Sequence, residues 1–367
     1  PGTALVRYGD GDWDDTLQPA DETLRTRMVS GWTVELCFHV LVRWAEAARR
    51  AGLAADADRA GKLAAAVERD FNRFLVRDGV TAGFLVFEAD GALRPLLHPK
   101  DAVTGIRYRL LPMTRGIISG LFTPAQARHH LDLIREHLLF ADGARLMSDA
   151  VAYRGGRSTL FKRGETSAYF GREVSLQYTH AHIRYAEALA RMGRGAELWK
   201  ALLSVNPVAL AATVPHAAMR QANTYFSSSD GAFADRYEAF ARYRELKDGR
   251  VPVKGGWRIY SSGPGIYLRQ IFENWLGLRV SYGDLIVDPV LHAGLNGLTW
   301  ACEFEGRPVT WHFHVSERDY APRRLLVNGR DVAFAREKNP YRTGGARLPL
   351  EAFLQHLGAS GTVDVHL

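Results

Sequence analysis

The stretch RYGDGDWDDTLQPAD, residues 7–21, sets four carboxylates, Asp10, Asp12, Asp14 and Asp15, around a single indole, Trp13, and carries two glycines that keep it from being helical. Three chemistries compete for it. Aspartates at alternate positions suit a calcium loop, but the sixth position is Asp15 rather than glycine and the twelfth is Asp21 rather than glutamate. A solvated turn would need no ligand at all. The third reading is a sugar site. An indole is a platform for a pyranose ring, and its apolar surface raises the pKa of a neighbouring carboxyl, which can then hand a proton to a glycosidic oxygen.

Three further stretches carry polar chemistry. In WRIYSSGPGIYLRQ, Ser261, Ser262, Gly263 and Pro264 stand where a helix begins; a serine caps it, and its free N–H groups suit an anion. Trp257 and Arg258 just upstream tilt that reading toward a ligand rather than a plain capped helix. In REVSLQYTHAHIRY, Arg172, Glu173, His180 and His182 fall where a loop enters a helix. The two histidines are two residues apart, off a common helical face, which argues against a shared metal. In RQANTYFSSSDGAFADRYEA, Gln221, Asn223, Tyr225 and Asp230 are side chains that bond sugar hydroxyls, and equally a loop composition. No nucleophile elbow, Walker loop or dinucleotide fingerprint appears.

The elements that must position these residues are mostly helical. Residues 22–50 predict one long amphipathic helix with Met28, Trp32, Leu36, Val40, Trp44 and Ala47 on its apolar face, and 57–76 a second with Ala60, Leu63, Val67, Phe71 and Phe74. A hairpin over 83–95 turns at Asp90-Gly91. Helices follow over 110–121, over 124–140 behind Thr123-Pro124, then over 180–193, 196–205, about 233–246 and 265–277, with long loops between. From about 279 the pattern changes to alternating β-branched and aromatic runs, such as LTWACEF and PVTWHFHV. The expected division is a helical domain, 1–278, and a β-rich domain, 279–367.

The 367 residues are 47% hydrophobic and 24% charged, a globular composition. The net charge of +7 comes from Lys and Arg scattered among acids, so nucleic acid is not the expected partner, whereas a small anionic substrate fits. No apolar run is long enough for a transmembrane helix. Cys37 and Cys302 predict two buried free thiols, not a disulfide or a zinc site, which favours a reducing, cytoplasmic compartment. The chain opens on Pro1 without a signal-peptide pattern, and its start reads as a truncation or processing point.

Together the motifs resemble the inverting β-glycoside phosphorylases of glycoside hydrolase family 94, the relatives of cellobiose phosphorylase. GDWDD is similar to that family's GDWND-type signature, REVSLQYTH to its Lys-Glu-Asn…Phe-x-His segment and YSSGPG to its Trp-x-Thr-Gly segment. The wording is nearest the branch that acts on β-1,2-oligoglucans. The resemblance spans most of residues 5–300. It implies an (α/α)6 toroid, incomplete here, followed by a small β-sandwich-like domain. It implies phosphate attacking the anomeric carbon of a β-glucooligosaccharide while one acid protonates the leaving oxygen, to give α-glucose 1-phosphate.

Carried over by motif, Asp15 is the general acid, and Trp13, Asp14, Arg172, Glu173 and Gln221 line the sugar site. His180, Ser262 and the Gly263 N–H hold phosphate, which is a substrate; no cofactor and no metal are implied. Arg172 stands in place of a lysine, Ser262 in place of a threonine and Asp14 in place of an asparagine, so that Asp14 and Asp15 compete for the role of acid. The family also implies an upstream β domain, linker helices and the first part of the toroid, with an arginine and an aspartate that hold the donor glucose. The chain is therefore expected to be the C-terminal portion of a longer protein, with a homodimer left open. The competing readings are an inverting hydrolase, which needs a second carboxylate base, and a glycan-binding module without activity inside a larger synthase.

Overall fold

A computed structural model describes residues 2–9, 12–149, 160–162, 175–208, 210–218, 226–255, 263–316 and 321–367, with Asp15 placed by its backbone alone. The chain divides into two compact units, Pro1–Tyr185 with Leu203–Gly263, and Ala186–Leu202 with Pro264–Leu367.

The first unit is built from helices and short sheets. Its start corrects the expectation of one helix over 22–50. Helix α1 (Glu22–Arg27) ends at strand β1 (Met28–Ser30), and α2 (Gly31–Arg50) begins afresh. The reasons are local. Asp21 caps α1 by accepting from the Leu24 N–H, and Ser30 caps α2 by accepting from the Thr33 N–H. Between the caps, Met28–Ser30 are buried on all sides and pair with a later strand. Gly31 is needed there because a Cβ would lie 2.5 Å from the Ala82 carbonyl oxygen. The buried face of α2 carries Val34, Glu35, Phe38, Ala45 and Ala48, whereas Val40 and Trp44 are 57% and 53% exposed.

Helix α3 (Ala54–Phe74) packs against α2 through Ala57, Ala60, Ala64, Val67 and Phe71, with Leu63 turned outward. A small hairpin, β2 (Val76–Arg77) and β3 (Val80–Thr81), leads to β4 (Phe84–Phe87) and β5 (Leu93–Leu96). These last two pair antiparallel around Asp90-Gly91, as the sequence predicts, and β1 completes a sheet of order β1-β4-β5. Helix α4 (Leu110–Ser119) is almost wholly buried. Helix α5 (Pro124–Leu133) opens on the expected Thr123, here with a full capping box to Gln126, and widens into a π turn over Ile134–Leu138.

Strands β6 (Leu139–Phe140) and β7 (Gly143–Ala144) form a hairpin. Strand β8 (Gln177–Tyr178) runs directly into α6 (Thr179–Arg191), which from Ala186 belongs to the second unit, as does α7 (Gly195–Leu203) up to Leu202; α8 (Leu210–Thr213), β9 (Ser228–Gly231), α9 (Arg236–Arg242) and β10 (Val253–Gly255) return to the first. A sheet of order β10-β9-β8 fixes the strand from which α6 departs. Helix α10 (Gly263–Arg269), which from Pro264 belongs to the second unit, continues as a π turn over Gln270–Trp275.

The second unit holds the β-rich region. One antiparallel sheet has the order β11 (Leu278–Ser281), β12 (Asp284–Val287), β18 (Ala346–Pro349), β17 (Ala335–Arg336). The other has the order β13 (Leu298–Phe304), β14 (Arg307–His314), β19 (Gly361–His366), β15 (Arg324–Val327), β16 (Arg330–Asp331), with β14 and β19 parallel. Alternation places Val309, Trp311 and Phe313 on the inner face of β14 and Val363 and Val365 on that of β19. They share one core with Leu285 and Val287 of the first sheet and with Phe353 and Leu357 of helix α11 (Leu350–Leu357). This is the β-rich C-terminal region the alternating pattern predicts. Cys37 and Cys302 are free thiols, part-buried rather than fully buried, and burial pushes both above their ordinary range.

Candidate active site

The aspartate-rich loop is held from inside. Arg109, just before α4, donates two hydrogen bonds to Asp12, at 2.8 Å to Oδ1 and 3.1 Å to Oδ2, and both side chains are fully buried. The Ser30 hydroxyl that caps α2 also donates to Asp12 Oδ2, and the Asp14 N–H donates to Asp12 Oδ1 at 3.0 Å. Asp12 thus ties the loop to the start of α2 and to the entry of α4. Burial works against the Arg109 charge, but the Asp12 carboxylate, with Asp14 and Tyr8 behind it, outweighs this and holds the guanidinium above its ordinary range. The guanidinium lies over the Phe84 ring at 4.6 Å. Gly83 leaves the room, since a Cβ there would lie 3.2 Å from Arg109 Cδ and 2.7 Å from Leu97 Cβ.

Asp14 is fully buried. It caps a 3-10 turn, Asp15–Leu17, by accepting from the Thr16 N–H at 3.2 Å and from the Thr16 hydroxyl, and its Oδ2 stands 4.0 Å from Arg109. Asp15 is the first residue of that turn. Trp13 is half-buried and meets the Tyr178 ring edge-on, with centroids 4.9 Å apart. Tyr178 in turn meets His180 at 5.3 Å. The structure therefore brings two of the sequence-predicted residues, Trp13 and His180, to one aromatic residue between them. Burial, then the Arg184 charge, lowers the His180 pKa and favours the neutral imidazole.

His182 is structural. It is fully buried, its Nδ1 accepts from the Ala144 N–H at 2.9 Å, and its Nε2 lies 3.2 Å from the Ser204 hydroxyl. Gly263 is buried as the first residue of α10. Arg172, Glu173, Gln221 and Ser262 lie outside the described residues, as do Asp10, Asn223, Tyr225, Trp257, Arg258 and Ser261. Among the described residues no cluster of His, Cys, Asp or Glu could hold a metal ion, and no helix is long and apolar enough to cross a membrane.

Arg109, Tyr178 and Glu35 are absent from the sequence-derived set. Arg109 sits in an unremarkable run, RYRLLP, and nothing local announces its partner 97 residues away. Tyr178 was within reach of sequence reasoning, because it stands two residues before His180 at the end of a strand. Glu35 lies on the buried face of α2, where among the described residues neither carboxyl oxygen has a hydrogen-bond partner; burial raises its pKa well above the carboxylate range, against the pull of Arg115 and Arg109.

Comparison with known proteins agrees with the motifs. Residues 277–366 match the glycoside phosphorylase C-terminal domain. The chain is 47% identical over 349 residues to a 1,2-beta-oligoglucan phosphorylase of Listeria innocua serovar 6a, an alignment covering 95% of this chain and 31% of that protein. The chain thus spans about a third of the length of this relative. Similar solved structures include a sialidase (10% identity, 88% of this chain, 26% of that one, TM-score 0.46) and a family GH92 alpha-mannosidase from Bacteroides thetaiotaomicron (12% identity, 88% and 32%, TM-score 0.34), likenesses too slight to bear on the fold. Residues 2–230 match the glycosyl hydrolase 94 superfamily, catalytic domain, and the chain belongs to that family.

Proposed function

We propose that this chain carries the acid and phosphate side of an inverting phosphorylase acting on β-1,2-linked glucooligosaccharides, within an (α/α)6 toroid over 1–278 followed by a β domain over 279–367. A phosphate oxygen forms the bond to the anomeric carbon of the non-reducing-end glucose. The glycosidic C–O bond breaks with inversion, and the Asp15 carboxyl passes its proton to the departing oxygen, giving α-glucose 1-phosphate and a shortened chain. Phosphate is already an anionic nucleophile, so the second carboxylate that activates water in an inverting hydrolase is not needed. His180, Ser262 and the Gly263 N–H hold phosphate. Trp13, with Arg172, Glu173 and Gln221, forms the sugar side; Asp14, expected there from the motif, is buried and caps the turn that begins at Asp15.

The observation that carries this reading is the Trp13–Tyr178–His180 contact, which joins the sugar-platform motif to the phosphate motif within one unit. The identity with a 1,2-beta-oligoglucan phosphorylase supports the choice of linkage. A neutral His180 suits phosphate, because its N–H donates without drawing a proton from the nucleophile. The placement of Asp14 supports Asp15 as the acid. A proton donor must come within hydrogen-bond reach of the leaving oxygen, and Asp14 is turned fully inward.

The test is release of glucose 1-phosphate from β-1,2-, β-1,3- and β-1,4-glucooligosaccharides with phosphate, using the longest reading frame that contains this chain. Glucose 1-phosphate from the β-1,2 series alone is the expected result. Free glucose without glucose 1-phosphate would establish a hydrolase instead, and binding without turnover a glycan-binding module. An Asp15→Asn variant with full activity would sink the acid assignment.

A further inference from the structure

The ring of Tyr178 stands between two groups assigned to different substrates of the proposed reaction. The Trp13 indole meets it edge-on, with centroids 4.9 Å apart and planes at 82°. The His180 imidazole meets it tilted, at 5.3 Å and 47°. Tyr178 is 5% exposed, whereas Trp13 and His180 are half-buried. One buried ring therefore backs two rings that are part-open.

Side chains two residues apart on a helix do not face each other. The contact of Tyr178 with His180 therefore depends on the change from β8 to α6 between Tyr178 and Thr179. That change is pinned from several sides. Gln177 and Tyr178 pair with Ser229 and Ser228 of β9. The Thr179 N–H donates to the Ser227 carbonyl at 2.9 Å, and its hydroxyl donates to the Phe226 carbonyl at 3.1 Å. Three residues before Tyr178, the Ser175 carbonyl accepts from both the Arg145 guanidinium and the Tyr243 hydroxyl, each at 2.9 Å, and all three of these residues are buried. The ring is thus fixed through its backbone, and a fixed ring can hold its neighbours in place. An aromatic pair is worth about two- to tenfold in an equilibrium beyond the area it buries.

We propose that Tyr178 is a positioning residue shared by the two substrates: one fixed ring sets both the Trp13 sugar platform and the His180 imidazole, so that the glucooligosaccharide and phosphate are held in register with each other. The proposal rests on the assignment of Trp13 to the sugar and His180 to phosphate. It adds a residue that acts on each substrate through another side chain. The ring does this, and the hydroxyl is not required for it. Without the ring, both neighbours lose their support, and both substrates bind less well.

The test is the initial rate of glucose 1-phosphate release from a β-1,2-glucooligosaccharide and inorganic phosphate, each varied in turn, using the longest reading frame that contains this chain. The variants are Tyr178→Leu, Tyr178→Met and Tyr178→Phe. Tyr178→Leu and Tyr178→Met, the latter flexible enough to fill the buried space without a ring, are expected to raise KM for phosphate and KM for the glucooligosaccharide, each by about two- to tenfold. Tyr178→Phe should return both toward the parent values. A merely structural tyrosine would act through the folded fraction, which scales the apparent kcat and leaves both KM values where they were. The proposal is overturned if both KM values stay at the parent level in a Leu or Met variant that folds, or if only one of them rises. It is also overturned if Tyr178→Phe loses as much as Tyr178→Leu, or if neither the Leu nor the Met variant folds, which would make Tyr178 a core residue. A parent that releases no glucose 1-phosphate would sink the phosphorylase reading and this role with it, whereas turnover by the parent with unmoved KM values in the variants sinks this role alone.

Discussion

Replacing Asp12 by alanine tests the idea that the aspartate loop is anchored by charge. In the folded chain Asp12 accepts both Arg109 bonds, at 2.8 and 3.1 Å, with both side chains at zero exposure, and it also accepts from Ser30 and from the Asp14 N–H. Asp12→Ala leaves a buried guanidinium whose nearest remaining carboxylate oxygen among the described residues is that of Asp14, at 4.0 Å. Breaking a buried pair from one side costs about 3–5 kcal/mol, chiefly because the surviving charge is stranded. At about 2–4 °C per kcal/mol for a unit of this size, melting should fall by about 6–20 °C. Arg109→Met should cost a similar amount. The double variant should cost much less than the two singles together, because neither charge is then stranded. Urea unfolding followed by tryptophan fluorescence reads all three. A single-variant cost below about 1 kcal/mol, the range of an exposed ion pair, or strict additivity in the double variant, would refute the anchoring argument.

Other expectations concern neighbouring groups. His130 is buried and neutral, with Nε2 accepting from the Thr81 N–H and Nδ1 donating to the Gln126 carbonyl, and burial depresses its pKa from 6.5 to about 4. Its stabilising contribution is complete above pH 6.5 and is lost as pH falls toward about 4, worth about 3 kcal/mol in all; His130→Gln should flatten that part of the stability–pH curve. Glu35 titrates with the opposite sense. Its folded pKa is raised, so its contribution is complete below the ordinary value of 4.5 and is lost as pH rises through the folded pKa. Glu35→Gln should therefore gain on the parent as pH rises, and thermal melts from pH 4 to 9 show whether it does. Gly143 has φ of +122°, and a Cβ there would lie 2.9 Å from His182 Nδ1, the acceptor of the Ala144 N–H. Gly143→Ala should cost about 1–3 kcal/mol in urea unfolding.

Much of the fold was legible because it rests on local rules. Thr123-Pro124 starts a helix, Asp90-Gly91 turns a hairpin, and the alternation in PVTWHFHV gives a strand with Val309, Trp311 and Phe313 inward. The break at Met28–Ser30 was not legible. Its three residues continue a helical apolar period, and only pairing with β4, itself more than 50 residues away, makes them a strand. The wrong face of α2 has the same origin: Val40 and Trp44 fit a stripe, yet it is Glu35 and two alanines, among others, that face the interior. In the candidate site, the sequence singles out Trp13 and His180, which both meet Tyr178, whereas it does not single out Arg109. A buried arginine has meaning only through its partner, and that pairing is set by tertiary structure.

Two of the aspartates that flank Trp13 can be told apart by what their carboxyls touch. Asp12 is committed to Arg109 and Ser30, and Asp14 to Thr16 at the start of the 3-10 turn. Both point inward, so their charges are used to build the loop rather than offered to a ligand or a cation. A calcium loop would need these same oxygens for the ion, whereas both oxygens of Asp12 already accept from Arg109 and one of them from Ser30 as well. The sugar reading asks less. It requires one carboxyl near an indole, and the backbone sets Asp15 directly after the Asp14 cap, two residues from Trp13, which rests on Tyr178. The crowding is then a consequence of anchoring: an arginine and a helix cap take up two carboxylates, and their hydrogen bonds hold the turn on which Asp15 stands.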